Sequence, residues 1–356
     1  MSVELPTLLI GSYTATGGGN ATGISLVDDG VARTVAVLDD PSFLAVSGDR
    51  VYAVSETTDG RVSAFRVQGG ALEHLWDAPS GGDAPCHVRV DPSGALVVTN
   101  YVSGTVTAIS LAAAESHAAS LTASDGVVLH GDADHRSVPT EAVAVAVLPY
   151  ATGPDEDRQD APHAHQSVAT PDGTVLVADL GGDALHEFRI AVSADGVPTI
   201  EPLRVHHVPA GTGPRHMAWF EGDLIVAGEL DGRVHRLRRD ESEAFVTIAA
   251  VPAFDGAVGE SLLSHIEVDD DGRVYVAVRG HDLLVVLDAR DGGLSVVGSV
   301  PCGGVWPRHF VRVPGYVLVA NQMSDAVAVL PLDAEGLPGE AVAQIPVGTP
   351  TCVVPL

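Results

Sequence analysis

The sequence predicts an all-β fold, a single seven-bladed β-propeller domain over residues 1–356, and three observations support this prediction. A pair of short strands repeats seven times, mostly at intervals of roughly 40 to 50 residues, which are typical of propellers. Apolar residues make up 46% of the chain but aromatic residues only 4%, which indicates a core of Val, Ala, Leu and Ile and favours strands. The 39 glycines and 23 prolines are spread along the chain, as many short strands joined by turns require.

The first element of the repeat is an apolar strand that ends in a polar residue. It occurs as TLLIGS (7–12), VYAVSE (51–56), ALVVTN (95–100), TVLVAD (174–179), LIVAGE (224–229), VYVAVR (274–279) and YVLVAN (316–321). The alternation of these strands and the Gly or Asp turns after most of them indicate β-meander blades.

A second strand, often following a proline, precedes six of these seven segments. These strands are PSFLAVS from 41, PCHVRV from 85, AHQSVAT from 164, PRHMAWF from 214, SHIEVD from 264 and PRHFVRV from 307. The seventh is the C-terminal PTCVVPL, so we expect both chain ends to complete the last blade and to remove the open sheet edges of the ring.

The interval 110–162 is longer than the others. We expect it to contain an ordinary outer strand, GVVLH (126–130), and surplus loop lying over one face of the propeller. Long connections of this kind often carry function.

The charge of the chain restricts its partners. The 47 acidic residues outnumber 19 basic ones, all arginine, and the net charge of −28 argues against binding to nucleic acid or an anionic membrane. Three widely spaced cysteines and the absence of a charged, apolar leader predict a cytoplasmic protein without disulfides. No apolar stretch approaches the roughly 20 residues that span a bilayer. We expect a monomer or a weak homodimer.

The repeat aligns polar residues at one mouth of the channel, because the start of each preceding strand and the end of the apolar strand that follows it lie at the same end of a hairpin. The aligned pairs are Ser42/Glu56, Cys86/Asn100, His165/Asp179, Arg215/Glu229, His265/Arg279, Arg308/Asn321 and Thr351/Ser12. Polar residues at a mouth can simply be solvated or paired with one another. The set from His165 to Arg308, however, spans four neighbouring blades and indicates a site.

These residue types suit an anionic substrate whose carbonyl is attacked or formed. Arginine donates two parallel hydrogen bonds to carboxylate or phosphate, and histidine exchanges a proton near neutral pH. We expect no metal and no cofactor, since no cluster of His, Asp or Glu in the sequence has the spacing of metal ligands. The predicted substrate-binding residues are Arg308, His163, His216, His265, Asn100 and Asn321.

The segments GSYT, RQDAPHAH, ADLGGDAL, GPRH, GEL, VRG, PRHF and ANQ, taken in this order, resemble the lactonase family typified by propeller-type 6-phosphogluconolactonase. The chain is similar also to the fungal 3-carboxy-cis,cis-muconate lactonizing enzyme, which closes a lactone without metal. The resemblance implies the catalytic residues His165, Arg215, Glu229 and Arg279. The sequence departs from the family at His265, where an acidic or small residue is common, and at Gly228, where Asn is usual.

The resemblance therefore implies hydrolysis of a small anionic sugar lactone, most simply 6-phosphogluconolactone to 6-phosphogluconate. His165 would be the general base, Arg215 would stabilise the oxyanion, Glu229 would orient its neighbours, and Arg279 and Arg308 would hold phosphate or carboxylate. Three alternatives stay open: a lactonizing cycloisomerase, a lactonase for another lactone, and a non-catalytic binding propeller. The sequence also leaves open whether His165 or Glu229 is the base.

Overall fold

The computed structural model describes residues 5–124 and 137–356, which form seven four-stranded antiparallel sheets. We number the sheets as blades 1 to 7 and the strands in chain order. Blade 1 holds β4 (Phe43–Ser47), β5 (Arg50–Ser55), β6 (Arg61–Gln68) and β7 (Ala71–Pro79). Blade 2 holds β8 (Pro85–Val90), β9 (Ala95–Asn100), β10 (Thr105–Ser110) and β11 (Val143–Val147). Blade 3 holds β12 (Ala164–Ala169), β13 (Val175–Asp179), β14 (Ala184–Val192) and β15 (Pro198–His207).

The remaining blades follow the same order from the channel outwards. Blade 4 holds β16 (Pro214–Phe220), β17 (Asp223–Gly228), β18 (Arg233–Arg239) and β19 (Phe245–Pro252). Blade 5 holds β20 (Leu262–Val268), β21 (Arg273–Arg279), β22 (Leu283–Asp288) and β23 (Ser295–Pro301). Blade 6 holds β24 (Pro307–Val313), β25 (Tyr316–Asn321), β26 (Ala326–Pro331) and β27 (Ala343–Pro346). Blade 7 holds β28 (Pro350–Pro355), β1 (Leu8–Ser12), β2 (Gly23–Asp28) and β3 (Val31–Val37).

The two chain ends close the ring in blade 7, as predicted. Strand β28 pairs with β1 in antiparallel register, from Leu8 opposite Pro355 to Ser12 opposite Pro350. The innermost strand therefore comes from one end of the chain and its partner from the other. This pairing satisfies the backbone groups that an open ring would leave at its edge.

The hydrophobic core lies between the blades. Each of the seven buried clusters in the described residues joins two neighbouring blades; Leu176 and Leu185 of blade 3, for example, pack with Met217 and Leu224 of blade 4. The strands are rich in Val, Ile, Leu and Ala because both faces of each blade are covered by its neighbours. The axial channel is thus left to polar side chains.

A bulge at the start of most inner strands brings two consecutive residues to the channel. In blade 2, Pro85 pairs with Asn100 but the next paired residue is His87, opposite Thr99. Similar shifts occur in the inner strands of blades 3 to 7. A β-bulge leaves one residue outside the ladder and redirects its side chain.

By register, the bulges define two layers of residues. The mouth layer contains Thr351, Ser42, Cys86, His165, Arg215, Ser264 and Arg308, and the inner layer contains Cys352, Phe43, His87, Gln166, His216, His265 and His309. The predicted pairing of His265 with Arg279 is wrong by one residue along the strand. Leu262 lies opposite Arg279, so Ser264 takes the place in the mouth layer and His265 falls in the inner layer.

The long interval lies on both ends of the ring, and the expectation of a single face was wrong. Helix α1 (Leu111–Ser124) follows β10 at the end away from the mouth and packs its Ala114 into the core of blades 1 and 2. The fourth strand of blade 2 is β11, which runs back to the mouth, and the predicted strand GVVLH (126–130) lies outside the described residues. Residues 148–163 then connect blades 2 and 3 on the mouth side.

Besides α1, the described part of the chain contains three single 3-10 turns, Thr140–Ala142, Arg290–Gly292 and Gln322–Ser324. Within residues 5–124 and 137–356, we find no helix with the length and apolar character to cross a bilayer. All three cysteines are buried as free thiols.

Candidate active site

A cavity lies at the mouth end of the axial channel. Its wall is formed by residues of both layers: Ser42, Phe43, Cys86, His165, Arg215, His216, Arg308, His309 and Thr351. Two arginines and three histidines therefore face one small volume. The predicted residues His165, Arg215, Arg308 and His216 are brought together here.

Glu229 organises the arginines on one side of this cavity. Its Oε2 atom lies 2.8 Å from Nε of Arg215 and 2.8 Å from Nη2 of Arg279, and its Oε1 accepts a hydrogen bond from Arg158 at 2.5 Å. Burial raises the pKa of a carboxyl, but the guanidiniums of Arg279, Arg215 and Arg158 outweigh it and lower the pKa of Glu229 to about 2. Glu229 is thus a fixed anion that accepts protons poorly and holds cations in place.

Arg215 carries a donor that the protein leaves free. Burial lowers the pKa of its guanidinium to about 9, so the side chain stays cationic at neutral pH. Its Nη1 is buried and has no hydrogen-bond partner among the described residues. A buried donor without a partner costs about 1–3 kcal/mol. A donor of this kind in a cavity wall is suited to an anionic or developing negative ligand atom.

His165 is a neutral imidazole in the same wall. Burial, followed by the charges of Arg215 and Arg308, holds its pKa well below the usual value. Its Nδ1 is buried without a partner in the described part of the chain, and its ring meets the ring of His216 edge to face at 5.1 Å. The main chain is fixed because the His165 carbonyl accepts from the Thr99 hydroxyl and the Cys86 thiol. The position is therefore rigid and holds a group that can accept a proton.

The inner layer holds four histidines, of which His216 and His309 also form part of the cavity wall. His216 Nδ1 lies 2.8 Å from His265 Nδ1, His265 stacks on His309 at 4.0 Å, and Phe43 contacts the rings of His87 and His309. Burial is the main cause that lowers the pKa of all four histidines, that of His265 to about 3. His265 does not line the cavity, so in this structure it supports His216 from below.

Arg308 and Arg279 are each held by aromatic and acidic neighbours. Arg308 Nη2 lies 3.3 Å from Glu56 Oε2, and its guanidinium carbon lies 4.8 Å from the centre of the Tyr13 ring. Arg279 donates to the Leu263 carbonyl at 3.0 Å and lies 5.4 Å from the centre of the Trp306 ring. Both side chains are anchored, and Arg308 also faces the cavity.

His163 lies beside the cavity and not in its wall. Its ring stacks on Tyr101 with 4.4 Å between the ring centres, Nδ1 lies 2.9 Å from the Tyr101 carbonyl oxygen, and Nε2 lies 3.2 Å from Asp160. These contacts fix the segment that leads into blade 3. The structure therefore places this residue where it supports the wall near His165.

Asn100 and Asn321 are not brought to the cavity. Both are fully buried, and their Nδ2 atoms donate to main-chain carbonyls, Asn100 to Ser80 at 2.8 Å and Asn321 to Cys302 at 3.0 Å. Side chains at this strand end turn into their own blade and fasten the preceding loop.

In blade 4 a different residue makes the contact that the strand-end side chain makes in blade 3. Asp179 at the same position in blade 3 lies 3.1 Å from Nε2 of His186, whereas blade 4 has Gly228. A Cβ at Gly228 would lie 2.2 Å from Asp231 Oδ1, and Asp231 lies 2.8 Å from His235, the counterpart of His186. Asp231 thus replaces the missing side chain, which explains the departure at Gly228.

Sequence reasoning missed Arg158, Tyr101 and Tyr13, and it placed Glu56 in the aligned ring without giving it a role. Arg158 and Tyr101 contact each other, with Nη2 of Arg158 3.4 Å from the Tyr101 hydroxyl. Arg158 begins the RQDAPHAH segment, which was noted for its resemblance, but it lies in a loop outside the strand repeat. The scarcity of basic residues in the chain was the signal that could have found it.

No group of three or more His, Cys, Asp or Glu side chains in the described residues is arranged to hold a metal ion. In the inner layer the two Nδ1 atoms of His216 and His265 face each other directly at 2.8 Å. That contact occupies the position that a shared ion would need.

The fold and the site define a seven-bladed propeller with a cationic, histidine-containing cavity at one mouth of its channel. The chain belongs to the lactonase family of 7-bladed β-propellers, whose family model matches residues 7–355.

Named relatives extend this comparison. The chain is 30% identical over 348 residues to a 6-phosphogluconolactonase of Bacillus subtilis strain 168, covering 92% of this chain and 91% of that protein. It is 26% identical over 353 residues to a 6-phosphogluconolactonase of Formosa agariphila, covering 92% and 93%. Among solved structures, the periplasmic gluconolactonase of Pseudomonas aeruginosa superposes with a TM-score of 0.80 at 25% identity, covering 99% of each chain.

Proposed function

We propose that this protein hydrolyses a sugar lactone, with 6-phosphogluconolactone as the substrate and 6-phosphogluconate as the product. The observation that carries the proposal is the neutral His165 beside the free Nη1 donor of Arg215 in one cavity. Family membership and the names of the relatives in Bacillus subtilis and Formosa agariphila support the same chemistry.

In the proposed reaction His165 takes a proton from a water molecule whose oxygen attacks the carbonyl carbon of the lactone. The carbonyl oxygen gains the negative charge, and the Arg215 guanidinium stabilises it. The ring C–O bond then breaks, and the His165 imidazolium returns its proton to the departing ring oxygen. The product is an open hydroxy acid, which loses its carboxyl proton to solvent.

Glu229 is a positioning residue in this scheme. Its carboxylate is bound by three arginines, so it is a poor base, and it orients Arg215 through the 2.8 Å ion pair. The electrostatic role of a metal is taken by the arginines, and the proposal therefore includes no metal and no cofactor.

A panel of lactones tests the proposal. The panel contains phosphorylated and unphosphorylated five- and six-membered lactones, assayed with and without a chelator and corrected for spontaneous ring opening. Catalysed ring opening of 6-phosphogluconolactone with a kcat/KM above that for the other lactones is expected. Acceleration of none of them, or formation of a lactone from an unsaturated acid in preference, would refute hydrolysis as the activity.

We also propose a cytoplasmic location for this protein, although one structural relative is described as periplasmic.

A further inference from the structure

Arg158 is fixed at the mouth through its main chain while its side chain is left accessible. The next residue, Gln159, is fully buried, its Nε2 donates to the Leu180 carbonyl at 2.9 Å, and its Oε1 accepts from the Asp155 amide at 3.2 Å. The Arg158 amide itself donates to the Asp155 carbonyl at 3.1 Å. This turn holds Arg158 against Glu229, next to the residues of the cavity wall, without covering its guanidinium.

Exposure separates Arg158 from the other arginines of the site. The side chains of Arg215, Arg279 and Arg308 are 4%, 7% and 17% exposed, and that of Arg158 is 34% exposed. Arg158 also comes from a loop, whereas the other three lie on strands β16, β21 and β24. Of these four guanidiniums, that of Arg158 is the most accessible to a ligand from solvent.

The ion pairs of the site show which arginine can turn towards a ligand. Arg215 and Arg279 share Oε2 of Glu229, and Arg308 is paired with Glu56. Among the described residues, Arg158 is the one that holds Oε1 of Glu229. If Arg158 leaves Glu229, the carboxylate keeps two guanidiniums, whereas a departure of Arg308 would leave Glu56 without the arginine partner that the structure gives it.

Local charge also fits a dianion. Four arginines and two glutamates in this group leave a local charge of +2 in a protein of net charge −28. A phosphate monoester carries close to two negative charges at pH 7 and accepts bidentate hydrogen bonds from a guanidinium.

We propose that Arg158 binds the phosphate group of the lactone substrate and sets the preference for a phosphorylated over a neutral lactone. On binding, its guanidinium exchanges Oε1 of Glu229 for phosphate oxygens, while Arg215 and Glu229 stay in place at the reacting carbonyl. The inference rests on the proposed function, and it moves to a loop residue the anion-binding role that the sequence had assigned to Arg279 and Arg308.

The test compares Arg158→Gln, Arg158→Lys and a control, Arg204→Gln, which removes the same charge from the exposed outer strand β15. Each is assayed with 6-phosphogluconolactone and with unphosphorylated gluconolactone. Arg158→Gln is expected to raise KM for the phosphorylated lactone about 10- to 100-fold, with kcat and the KM for the neutral lactone within about twofold. Arg158→Lys should recover part of the loss, and the control should resemble the wild type.

Two results would overturn the inference. One is an equal rise of KM on both lactones. The other is a fall of kcat on both lactones, which would mean that Arg158 acts through Glu229.

Calorimetric titration with inorganic phosphate separates this inference from the proposed function. If the wild type opens no lactone, the proposed function fails, but weaker phosphate binding by Arg158→Gln than by Arg204→Gln still supports an anion site. Equal phosphate binding by these two variants, or none by the wild type, refutes the assignment.

Discussion

Arg215 and Glu229 face each other across the first hairpin of blade 4, with Nε of the arginine 2.8 Å from Oε2 of the carboxylate. Both are almost fully buried. Their contact links the cavity wall to the other two arginines that Glu229 holds.

Replacement of Glu229 by Gln should lower both the activity and the stability of the protein, with the larger effect on activity. Arg215 and Arg279 then lose their shared anion and repel each other, so kcat should fall about 10²- to 10³-fold and the free energy of unfolding by about 3 kcal/mol or more. Steady-state kinetics and urea unfolding measure the two effects. Glu56→Gln, which removes the carboxylate partner of Arg308, is the matched control, and an equal loss of kcat in both variants would contradict the central role of Glu229.

Replacement of His165 by Asn or Ala should keep the fold and lower kcat by about 10² to 10⁴. In the wild type, the active form of this base is neutral, so the rate should fall with decreasing pH only as the imidazole becomes protonated. Burial and the neighbouring arginines lower its pKa, which places this acidic limb well below pH 6.5. His163→Asn serves as a control outside the cavity wall. Near wild-type kcat in folded His165→Ala would exclude His165 as the base.

Buried histidines should make the protein sensitive to mild acid. The pKa values of His87, His165, His216, His265 and His309 are lowered in the folded state, chiefly by burial, so the unfolded chain binds more protons below about pH 6.5. Their contribution to stability is complete above that pH and is lost as the pH falls through it, by up to about 1.4 kcal/mol per pH unit for each histidine.

Urea unfolding at pH 7.5, 6.5 and 5.5 measures this slope. His87→Phe, which retains a ring against Phe43, should reduce the slope by about one proton. A free energy of unfolding that does not change over this range would show that the cluster is already protonated or open to water.

Asn321→Ala should affect stability and not substrate binding. The substitution removes the hydrogen bond to the Cys302 carbonyl and leaves that acceptor buried, at a cost of about 1–3 kcal/mol. KM should stay within about twofold of the wild type. A large rise of KM with unchanged stability would restore the substrate-binding role that the sequence suggested.

The blades and the closure of the ring were predictable because they depend on a local pattern that repeats seven times. Alternation along each strand marks the faces that pack on neighbouring blades, and the position of PTCVVPL before TLLIGS in the repeat identifies the shared blade. The same alignment brought Arg215 opposite Glu229.

Side-chain directions at the strand ends were harder to predict. In blade 5 the residue equivalent to Asp179 is Val278, which lies opposite Leu263, and Arg279 lies one residue beyond it. The alignment had matched Arg279 to Asp179, and His265 was therefore placed one residue too early, in the mouth layer. Asn100 and Asn321 occupy the predicted positions in the chain, but their amides turn to main-chain carbonyls. The spacing thus identifies the end of a strand and not the direction of the side chain there.

The sequence of α1 does indicate a helix, but a search for repeated strands does not detect it. LAAAESHAASLTAS is rich in Ala and Leu, and the Ser110 side chain in front of it accepts from the Ala113 amide at 3.3 Å. Arg158 had no comparable pattern, because its position depends on how a loop crosses from blade 2 to blade 3.

The pairing of β28 with β1 delays the maturation of the site during biosynthesis. Until residues 350–355 have emerged from the ribosome, β1 lacks its partner and Thr351 is missing from the cavity wall. The nascent chain therefore carries six complete blades and one incomplete one, with a strand edge open to neighbouring polypeptides. A chain cut short before this segment cannot close its ring and is a target for chaperones and proteases.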